Sequence, residues 1–346
     1  MAPSPGAPSL RSCRRRCRPT RAGAGCQRED VLSRPVTTVS KSAPPRHAPG
    51  WIATGLRWRG GLPSLTAVNG RREHERVAGA GTAVSWLVSG PRRCTGVWTA
   101  GRYHPCPHLA IIEPGAKAVQ CEACQGADLG LALARDQILD DGRTYHLYLA
   151  WFGRGMLKVG ITGEQRGTAR LLEQAALAFT FVGRGRLPGV RRAELTVAQA
   201  GLARERLATR AKAERWWGLP DAEQRRQELV ELRAGALRVL DGHAIEVFPA
   251  GPVVDHVELF GLADGAPPVY REVAALSDGA TVAGTLRAPV GRHLFLDTDQ
   301  HEPPLLLDTR LLTGWTLAPA ERVPCGGLDL QLCRKPEEPG AQEALF

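Results

Sequence analysis

The chain has 346 residues, which is enough for two or three hydrophobic cores. Apolar residues make up 43% of it and charged residues 23%, the composition of an ordinary globular protein. No run of about 18 apolar residues is present, so the sequence excludes a transmembrane helix, and we expect no membrane partner. The N terminus lacks the apolar stretch of a secretory signal, which predicts a cytoplasmic protein.

The net charge of +10 belongs mostly to the N-terminal segment. Residues 1–48 carry ten basic and two acidic residues, a balance of +8, which leaves only +2 for residues 49–346. Segment 1–48 is rich in Pro, Arg and Ser, and it is predicted to be a disordered basic tail. Its Arg-rich character also resembles a transit peptide or an arm that binds polyanions. Because the remainder is nearly neutral, charge alone is weak evidence for nucleic-acid binding.

A small antiparallel β unit is predicted for residues 49–93. The stretches WIATGLRWRGG, LPSLTAV and TAVSWLVSG have the composition of short strands, and Gly, Pro and polar turns separate them.

Residues 94–127 carry a pattern of cysteines that predicts a metal site. Cys94 and Cys106 are followed by the pair Cys121 and Cys124, which forms a CxxC motif. Four thiolates in tetrahedral geometry suit a structural Zn²⁺ ion, which can substitute for a hydrophobic core in a small module. The eleven residues between the first two cysteines are more than zinc ribbons usually have. Two alternatives therefore stay open: His108 replaces one cysteine, or the thiols are buried without metal.

A hairpin followed by helices is predicted within residues 128–242. Tyr145–Trp151 and Met156–Thr162 are apolar stretches joined by a glycine-containing turn, which is typical of a β-hairpin. A helix is expected over Gln165–Phe181, and a second helical pattern runs from Val190 to Trp217, with Gly201 as the point where it could divide. A third helix is expected over Ala222–Leu240, capped by the aspartate before it.

The C-terminal part of the chain divides into a β-rich domain, residues 243–322, and a tail, residues 323–346. The tail ends in Gln342-Glu343-Ala344-Leu345-Phe346. An exposed Leu-Phe pair at a chain end fits a hydrophobic pocket, with Gln342 supplying a polar contact. This pentapeptide resembles the QxxLF motif by which bacterial proteins dock on the replicative sliding clamp. The resemblance implies a clamp partner bound through Gln342, Leu345 and Phe346.

The hairpin resembles the GIY-YIG superfamily. His146-Leu147-Tyr148 stands where GIY stands, and Lys158-Val159-Gly160 stands where YIG stands. Arg170 matches the catalytic arginine of the superfamily, with Arg166 as the competing assignment. Glu194, on the next long helix, matches the metal-binding glutamate.

This resemblance implies a metal-dependent phosphodiesterase. Glu194 would hold one Mg²⁺ or Mn²⁺ ion, and Arg170 would steady the scissile phosphate. Tyr148, with Tyr145 as the other candidate, would help to activate water. The second motif tyrosine is replaced by Lys158, which would contact a phosphate as a point charge or, if buried and neutral, act as a base. Tyr145 and Arg166 are the expected substrate contacts.

The cysteines followed by YLAWFG, LKVGIT and ARLLEQ also resemble an uncharacterised bacterial family known as DUF2797. Together these features predict an α+β protein with a GIY-YIG-like domain, flanked by a Cys₄ zinc module and small antiparallel β units. The expected function is that of a nucleic-acid-associated protein, a metal-dependent nuclease acting on DNA in repair or replication. The alternative is a non-catalytic zinc-containing module that binds DNA or the sliding clamp. A third hypothesis is a zinc-stabilised protein with no nucleic-acid role.

Overall fold

The computed structural model describes residues 50–336, apart from residues 100, 136, 139, 299–301 and 322. The predicted basic tail and the clamp-type residues Gln342, Leu345 and Phe346 lie outside the described residues. Within the described ranges, no helix is long and apolar enough to cross a membrane.

The described residues form the following strands and helices, each kind numbered in chain order. The strands are β1 (Trp51–Arg59), β2 (Leu62–Asn69), β3 (Arg72–Val77), β4 (Ala83–Ser89), β5 (Val97–Thr99), β6 (Arg102–His104), β7 (Thr144–Trp151), β8 (Leu157–Gly163), β9 (Ala178–Arg186), β10 (Glu246–Val247), β11 (Val254–Asp255), β12 (Val269–Leu286), β13 (His293–Asp297), β14 (Leu305–Asp308), β15 (Thr316–Pro319) and β16 (Gly326–Arg334). The helices are α1 (Glu122–Ala127), α2 (Leu129–Ala134), α3 (Ala169–Glu173), α4 (Leu187–Gln199), α5 (Thr209–Ala213) and α6 (Ala222–Val239), with a 3₁₀ turn at Glu164–Arg166.

The larger sheet joins strands from both ends of the described chain. Its order is β13-β14-β12-β4-β15-β1-β2-β3, and β16 pairs with β12. All these pairings are antiparallel except that between β12 and β14. The segments 49–93 and 243–322, which the sequence treats as separate β units, thus contribute strands to one sheet, because β4 pairs with β12 and β15 while β1 pairs with β15.

The second sheet contains the predicted hairpin. Its order is β10-β9-β7-β8, and β11 also pairs with β9. The two strands predicted over Tyr145–Trp151 and Met156–Thr162 are confirmed as β7 and β8, and they pair antiparallel. The turn between them contains Gly153 and Gly155, both with positive φ, the region that favours glycine. Helices α4 and α6 pack against this sheet.

Alternate residues of β7 are buried in two different clusters, as the period of a strand requires. Tyr145, Leu147 and Leu149 belong to the main core with the apolar residues of α4 and α6. Tyr148 and Ala150 belong to a smaller cluster that includes apolar residues of α3 and β9. The two tyrosines of this strand therefore lie on opposite faces of the sheet.

Two predicted helices differ from those observed. The helix predicted over Gln165–Phe181 is wrong in length: it is reduced to the 3₁₀ turn and α3, because Ala175 has a φ of +60° and β9 then pairs with β7. The pattern over Val190–Trp217 is divided into α4 and α5, and Gly201, with a φ of +73°, follows the end of α4. The predicted third helix is confirmed as α6, and the Asp221 side chain accepts a hydrogen bond from the Gln224 backbone at its start.

The two sheets meet at a loop that precedes β13. The indole of Trp58, on β1, donates a hydrogen bond of 2.6 Å to the carbonyl oxygen of Gly291. Gly291 has a φ of +65°, and a Cβ built there would lie 2.7 Å from the Cβ of Ala175. This close approach requires glycine, and it places the end of α3 beside β1.

Candidate functional site

The four predicted metal ligands form one group. The sulfur atoms of Cys94, Cys106, Cys121 and Cys124 all lie within 4.8 Å of one another, and those of Cys106 and Cys121 are 3.8 Å apart. A tetrahedral ion with Zn–S bonds of about 2.3 Å requires sulfur–sulfur separations of about 3.8 Å. The four thiols can therefore hold a single metal ion such as zinc, and His108 is not a member of this group.

Local structure brings the cysteines together. Cys94 precedes the β5–β6 hairpin and Cys106 follows it, while Cys121 is the N-cap of α1 and Cys124 lies in its first turn. Gly96 has a φ of +69°, and a Cβ at this position would lie 2.3 Å from the carbonyl oxygen of His104, so only glycine fits there. Burial raises the pKa of the Cys94 thiol.

Arg92 attaches this metal module to the larger sheet. The side chain is buried, and its Nη1 donates hydrogen bonds of 2.9–3.0 Å to the carbonyl oxygens of Glu113, Pro114 and Ala116. Its Nε donates to the carbonyl oxygen of Thr313, just before β15, at 2.9 Å. One buried guanidinium thus ties the loop between Cys106 and Cys121 to the sheet.

A cavity of about 850 Å³ collects the four predicted catalytic side chains. Tyr148 comes from β7, Lys158 from β8, Arg170 from α3 and Glu194 from α4, and all four line this cavity. The lining holds six basic and two acidic side chains, a local balance of +4. These charged residues are Lys158, Arg170, Arg191, Arg192, Arg206, Lys212, Glu194 and Glu205.

Tyr148 is held by its partner strand and by α3. Its side chain is 1% exposed, and burial raises the pKa of its hydroxyl, while the charge of Arg170 acts to lower it. The hydroxyl accepts a hydrogen bond of 3.3 Å from Nε2 of Gln174. Gly160 is paired with Tyr148 in the ladder, and a Cβ at Gly160 would lie 2.3 Å from the tyrosine oxygen. The absence of a side chain at Gly160 therefore makes room for the Tyr148 ring.

Lys158 and Glu194 share the buried part of the cavity. Burial lowers the pKa of Lys158 to about 8, although the charge of Glu194 opposes this shift. Burial likewise raises the pKa of Glu194 to about 7, against the attraction of Lys158 and Arg170. The ammonium group of Lys158 donates hydrogen bonds to the carbonyl oxygens of Val159 and Glu205. Both groups are consequently close to titration at neutral pH.

The two predicted substrate contacts lie elsewhere. Tyr145 faces the main core, and its hydroxyl donates a hydrogen bond of 2.6 Å to the Asp141 carboxylate, so it does not line the cavity. Arg166 is paired with Glu173 at 2.6 Å and lines a neighbouring groove. Of the two arginines considered for the phosphate position, Arg170 is therefore the one that reaches the cavity with Tyr148.

Lys212 is a cavity residue that sequence reasoning missed. Its side chain is buried, and its Nζ lies 3.9 Å from the centre of the Phe152 ring and donates a hydrogen bond of 2.9 Å to the carbonyl oxygen of Gln174. Burial lowers its pKa to about 7, and the charge of Lys158 acts in the same direction. A lysine inside an otherwise ordinary charged helix pattern gives no local signal of such burial.

Glu205 and Arg206 were missed for a topological reason. The chain leaves α4, turns at Gly201 and runs beside β8, where the Val159 amide donates to the carbonyl oxygen of Arg204 at 3.0 Å. This segment was predicted as helix, and its extended course along β8 brings two further charges to the cavity. Among the described residues, only the four cysteines provide three or more His, Cys, Asp or Glu ligands within reach of one ion.

These features define a mixed α/β protein with mostly antiparallel sheets, a four-cysteine centre and a separate cation-rich cavity. The family model described as "Protein of unknown function (DUF2797)" matches residues 92–317, and the chain belongs to this family. The match spans the cysteines, the hairpin and most of the larger sheet's C-terminal strands. No curated protein and no solved structure matched the chain in the corresponding searches.

Proposed function

We propose that this protein binds a nucleic-acid phosphodiester in the cation-rich cavity and hydrolyses it with the help of a divalent ion. The observation that carries the proposal is the convergence of a hydroxyl, a guanidinium and a carboxylate, from Tyr148, Arg170 and Glu194, on one cavity. The resemblance of the hairpin to the GIY-YIG superfamily pointed to the same three residues. The local balance of +4 favours an anionic ligand.

Each side chain has a role that its chemistry suits. Arg170 is exposed, and its planar guanidinium binds two phosphate oxygens at once. Lys158 and Lys212 lie at the buried end of the cavity, where electrostatic interactions are strong, and a bound phosphate would favour the charged forms of both. Tyr148 places its hydroxyl beside the phosphate position and orients the attacking water.

Glu194 is the residue that would hold Mg²⁺ or Mn²⁺. Its carboxylate is a hard oxygen ligand, and Glu205 lines the same cavity and interacts electrostatically with it, so the donor set fits a hard cation. Such an ion would stabilise negative charge on the leaving oxygen. The four cysteines, by contrast, are soft ligands, and we propose that they hold a structural Zn²⁺ ion.

Cleavage of labelled DNA with Mg²⁺ or Mn²⁺ tests the proposal. Branched and single-stranded DNA are incubated with the parent protein and with Arg170→Ala and Glu194→Ala. We expect both variants to lose at least about a hundredfold in rate, because each removes charge stabilisation of the transition state. The matched control is Arg226→Ala, an exposed arginine on α6 that pairs with Glu223. If Arg170→Ala and Glu194→Ala cleave at the parent rate, the assigned site is wrong.

A second candidate function is DNA binding without cleavage. The observation that favours it is the position of Lys158, whose positive charge acts on Glu194 and would repel a metal ion at that carboxylate. This candidate predicts retained affinity without turnover, and an affinity that falls steeply with salt. Measurement of binding and cleavage on the same DNA separates the two functions.

We further propose that DNA repair or replication is the setting, through docking on a sliding clamp. The proposal rests on the sequence Gln342-Glu343-Ala344-Leu345-Phe346 alone, which lies outside the described residues. Replacement of both Leu345 and Phe346 by alanine should abolish binding to purified clamp and leave cleavage of short DNA unchanged. Equal clamp binding by the parent and the variant would exclude docking on the clamp through this motif.

A further inference from the structure

A second groove of about 1360 Å³ adjoins the cavity. Arg170 and Gln174 line both, so an extended ligand bound at Arg170 can continue from the cavity into the groove without leaving the surface. The groove takes its walls from strands β1 to β3, the metal module and the segment around α3, with Arg292 added from the loop before β13. Of the residues that line it, the sequence patterns give a role only to Arg166 and Arg170, and the family match gives a role to none.

A flat, positively charged pair stands in this groove. The guanidinium carbon of Arg57, on β1, lies 4.4 Å from the centre of the Trp98 ring, on β5 of the metal module. The Trp98 indole is fixed, because its nitrogen donates a hydrogen bond of 2.8 Å to the Glu73 carboxylate. The Arg57 side chain is mostly buried, which confines it over the indole. The Arg57–Trp98 pair is thus a preorganised cation–π pair.

The remaining charges in the groove favour an anionic chain with polar edges. The basic residues of the lining are Arg57, Arg59, Arg166, Arg170 and Arg292, and the acidic residues are Glu73, Glu75 and Glu173. Each carboxylate is already engaged by a neighbour in the groove: Glu73 by Trp98, Glu75 by Arg59 at 3.3 Å and Glu173 by Arg166 at 2.6 Å. Arg292 is paired with Asp308 at 3.2 Å, outside the lining of the groove, which leaves the guanidinium groups of Arg57 and Arg170 to supply the positive charge that favours phosphates. Carboxylate oxygens can still accept hydrogen bonds from base amino groups.

We propose that this groove binds a single-stranded extension of the polynucleotide whose phosphate enters the cavity, with an unpaired base stacked on the Arg57–Trp98 pair. The inference rests on the proposed function, since it takes the phosphate at Arg170 as the starting point of the strand. Unpaired bases stack on aromatic side chains and on guanidinium planes, whereas the faces of bases in a duplex are covered by their neighbours. A groove lined by arginines beside a planar pair is the arrangement that non-duplex strands require.

Fluorescence anisotropy tests the groove separately from the cavity. The probes are a labelled single-stranded DNA dodecamer, a dodecamer duplex and a dinucleotide, each without divalent metal. We expect Trp98→Ala and Arg57→Ala to weaken dodecamer binding about tenfold or more, the size of one lost base stack, and to leave dinucleotide binding unchanged. Arg71→Ala is the matched control, because this arginine lies in the β2–β3 turn and does not line the groove.

The outcomes distinguish the two proposals. If Arg170→Ala weakens binding of both single-stranded probes while Arg57→Ala and Trp98→Ala bind the dodecamer like the parent, the groove assignment fails and the cavity assignment stands. If Arg170→Ala binds every probe like the parent, the proposed function fails. Duplex binding as tight as single-strand binding overturns the single-strand assignment. Bound zinc is measured in each variant, and if Trp98→Ala has lost it, Arg57→Ala, outside the metal module, decides the outcome.

Discussion

Substitution of Gly160 by alanine would test how the hairpin positions Tyr148. The two residues are partners in the β7–β8 ladder, and an alanine Cβ at position 160 would lie 2.3 Å from the tyrosine oxygen and 2.5 Å from its Cζ. Contacts this short cannot persist, and the Tyr148 ring is 1% exposed, so the ring or strand β8 must shift to relieve them. Overpacking of a buried site costs about 1–3 kcal/mol, and we expect Gly160→Ala to lower the free energy of unfolding by about 2 kcal/mol.

Gly163 provides a matched control on the same strand. It is paired with Tyr145, the other tyrosine of β7, but the nearest atom to a Cβ built there is the tyrosine Cε1, at 3.9 Å. Neither glycine has a positive φ, so alanine is compatible with both backbones. Gly163→Ala should therefore change the free energy of unfolding by no more than about 1 kcal/mol, and loss of chain entropy in the unfolded state acts to stabilise it.

Urea unfolding of the two variants, followed by intrinsic fluorescence, measures the difference. In a Tyr148→Ala background the ring is absent, and Gly160→Ala should then have almost no further effect. A cost of Gly160→Ala equal to that of Gly163→Ala would refute the argument, and so would a cost that persists without the Tyr148 ring. The same displacement of the hydroxyl should reduce DNA cleavage by Gly160→Ala and not by Gly163→Ala.

Three further predictions concern charge and metal. The pKa of Glu194 is raised from 4.5 to about 7, so the folded state holds this proton more tightly, and its contribution to stability is lost as pH rises from about 4.5 through 7. Glu194→Gln should remove that part of the pH dependence in urea unfolding, and an unchanged pH profile would contradict the burial of its charge. Cys124→Ser should lose bound zinc in metal analysis after anaerobic purification, whereas Cys325→Ser, outside the cluster, should retain one equivalent; zinc retained by both would exclude the proposed ligand set. Arg92→Ala should lower the free energy of unfolding by about 3 kcal/mol or more, because four carbonyl oxygens lose their donor, and unchanged hydrogen exchange in residues 113–116 would argue against that role.

Local sequence signals predicted the parts of the fold that depend on local contacts. The β7–β8 hairpin follows from two apolar stretches around a glycine turn, and the cysteine cluster follows from the CxxC motif with two preceding cysteines. The alternation of side chains along β7 also carries information about the site. Tyr145 and Tyr148 are three residues apart, so strand geometry alone places them on opposite faces, and only one of them could line the cavity.

Long-range pairing could not be predicted in the same way. Helical periodicity over Val190–Trp217 does not show that helix α4 ends at Gln199 and that the chain then returns along β8. This extended segment is stabilised by backbone hydrogen bonds to Leu157 and Val159, which are distant in sequence. The larger sheet is similarly non-local, since β4 and β12 become neighbours across nearly two hundred residues of sequence. Periodicity describes the face of an element, and it carries no information on which distant strand will cover that face.

The net charge of the chain is a poor guide to what the cavity can bind, because folding redistributes charge. Residues 49–346 have a balance of only +2, yet the cavity lining alone has a balance of +4, so the rest of that segment must be negative on balance. A polyanion responds to the field near its own phosphates, since the Debye length is about 8 Å at physiological ionic strength. For residues 49–346, the salt dependence of binding is therefore set by the number of phosphates that the cavity and groove contact. Each contact with a single strand adds about −0.7 to the slope of log K against log salt concentration. Deletion of residues 1–48, which carry a balance of +8, would show how much of the measured slope comes from that segment, because phosphate contacts made by both parts add to one slope.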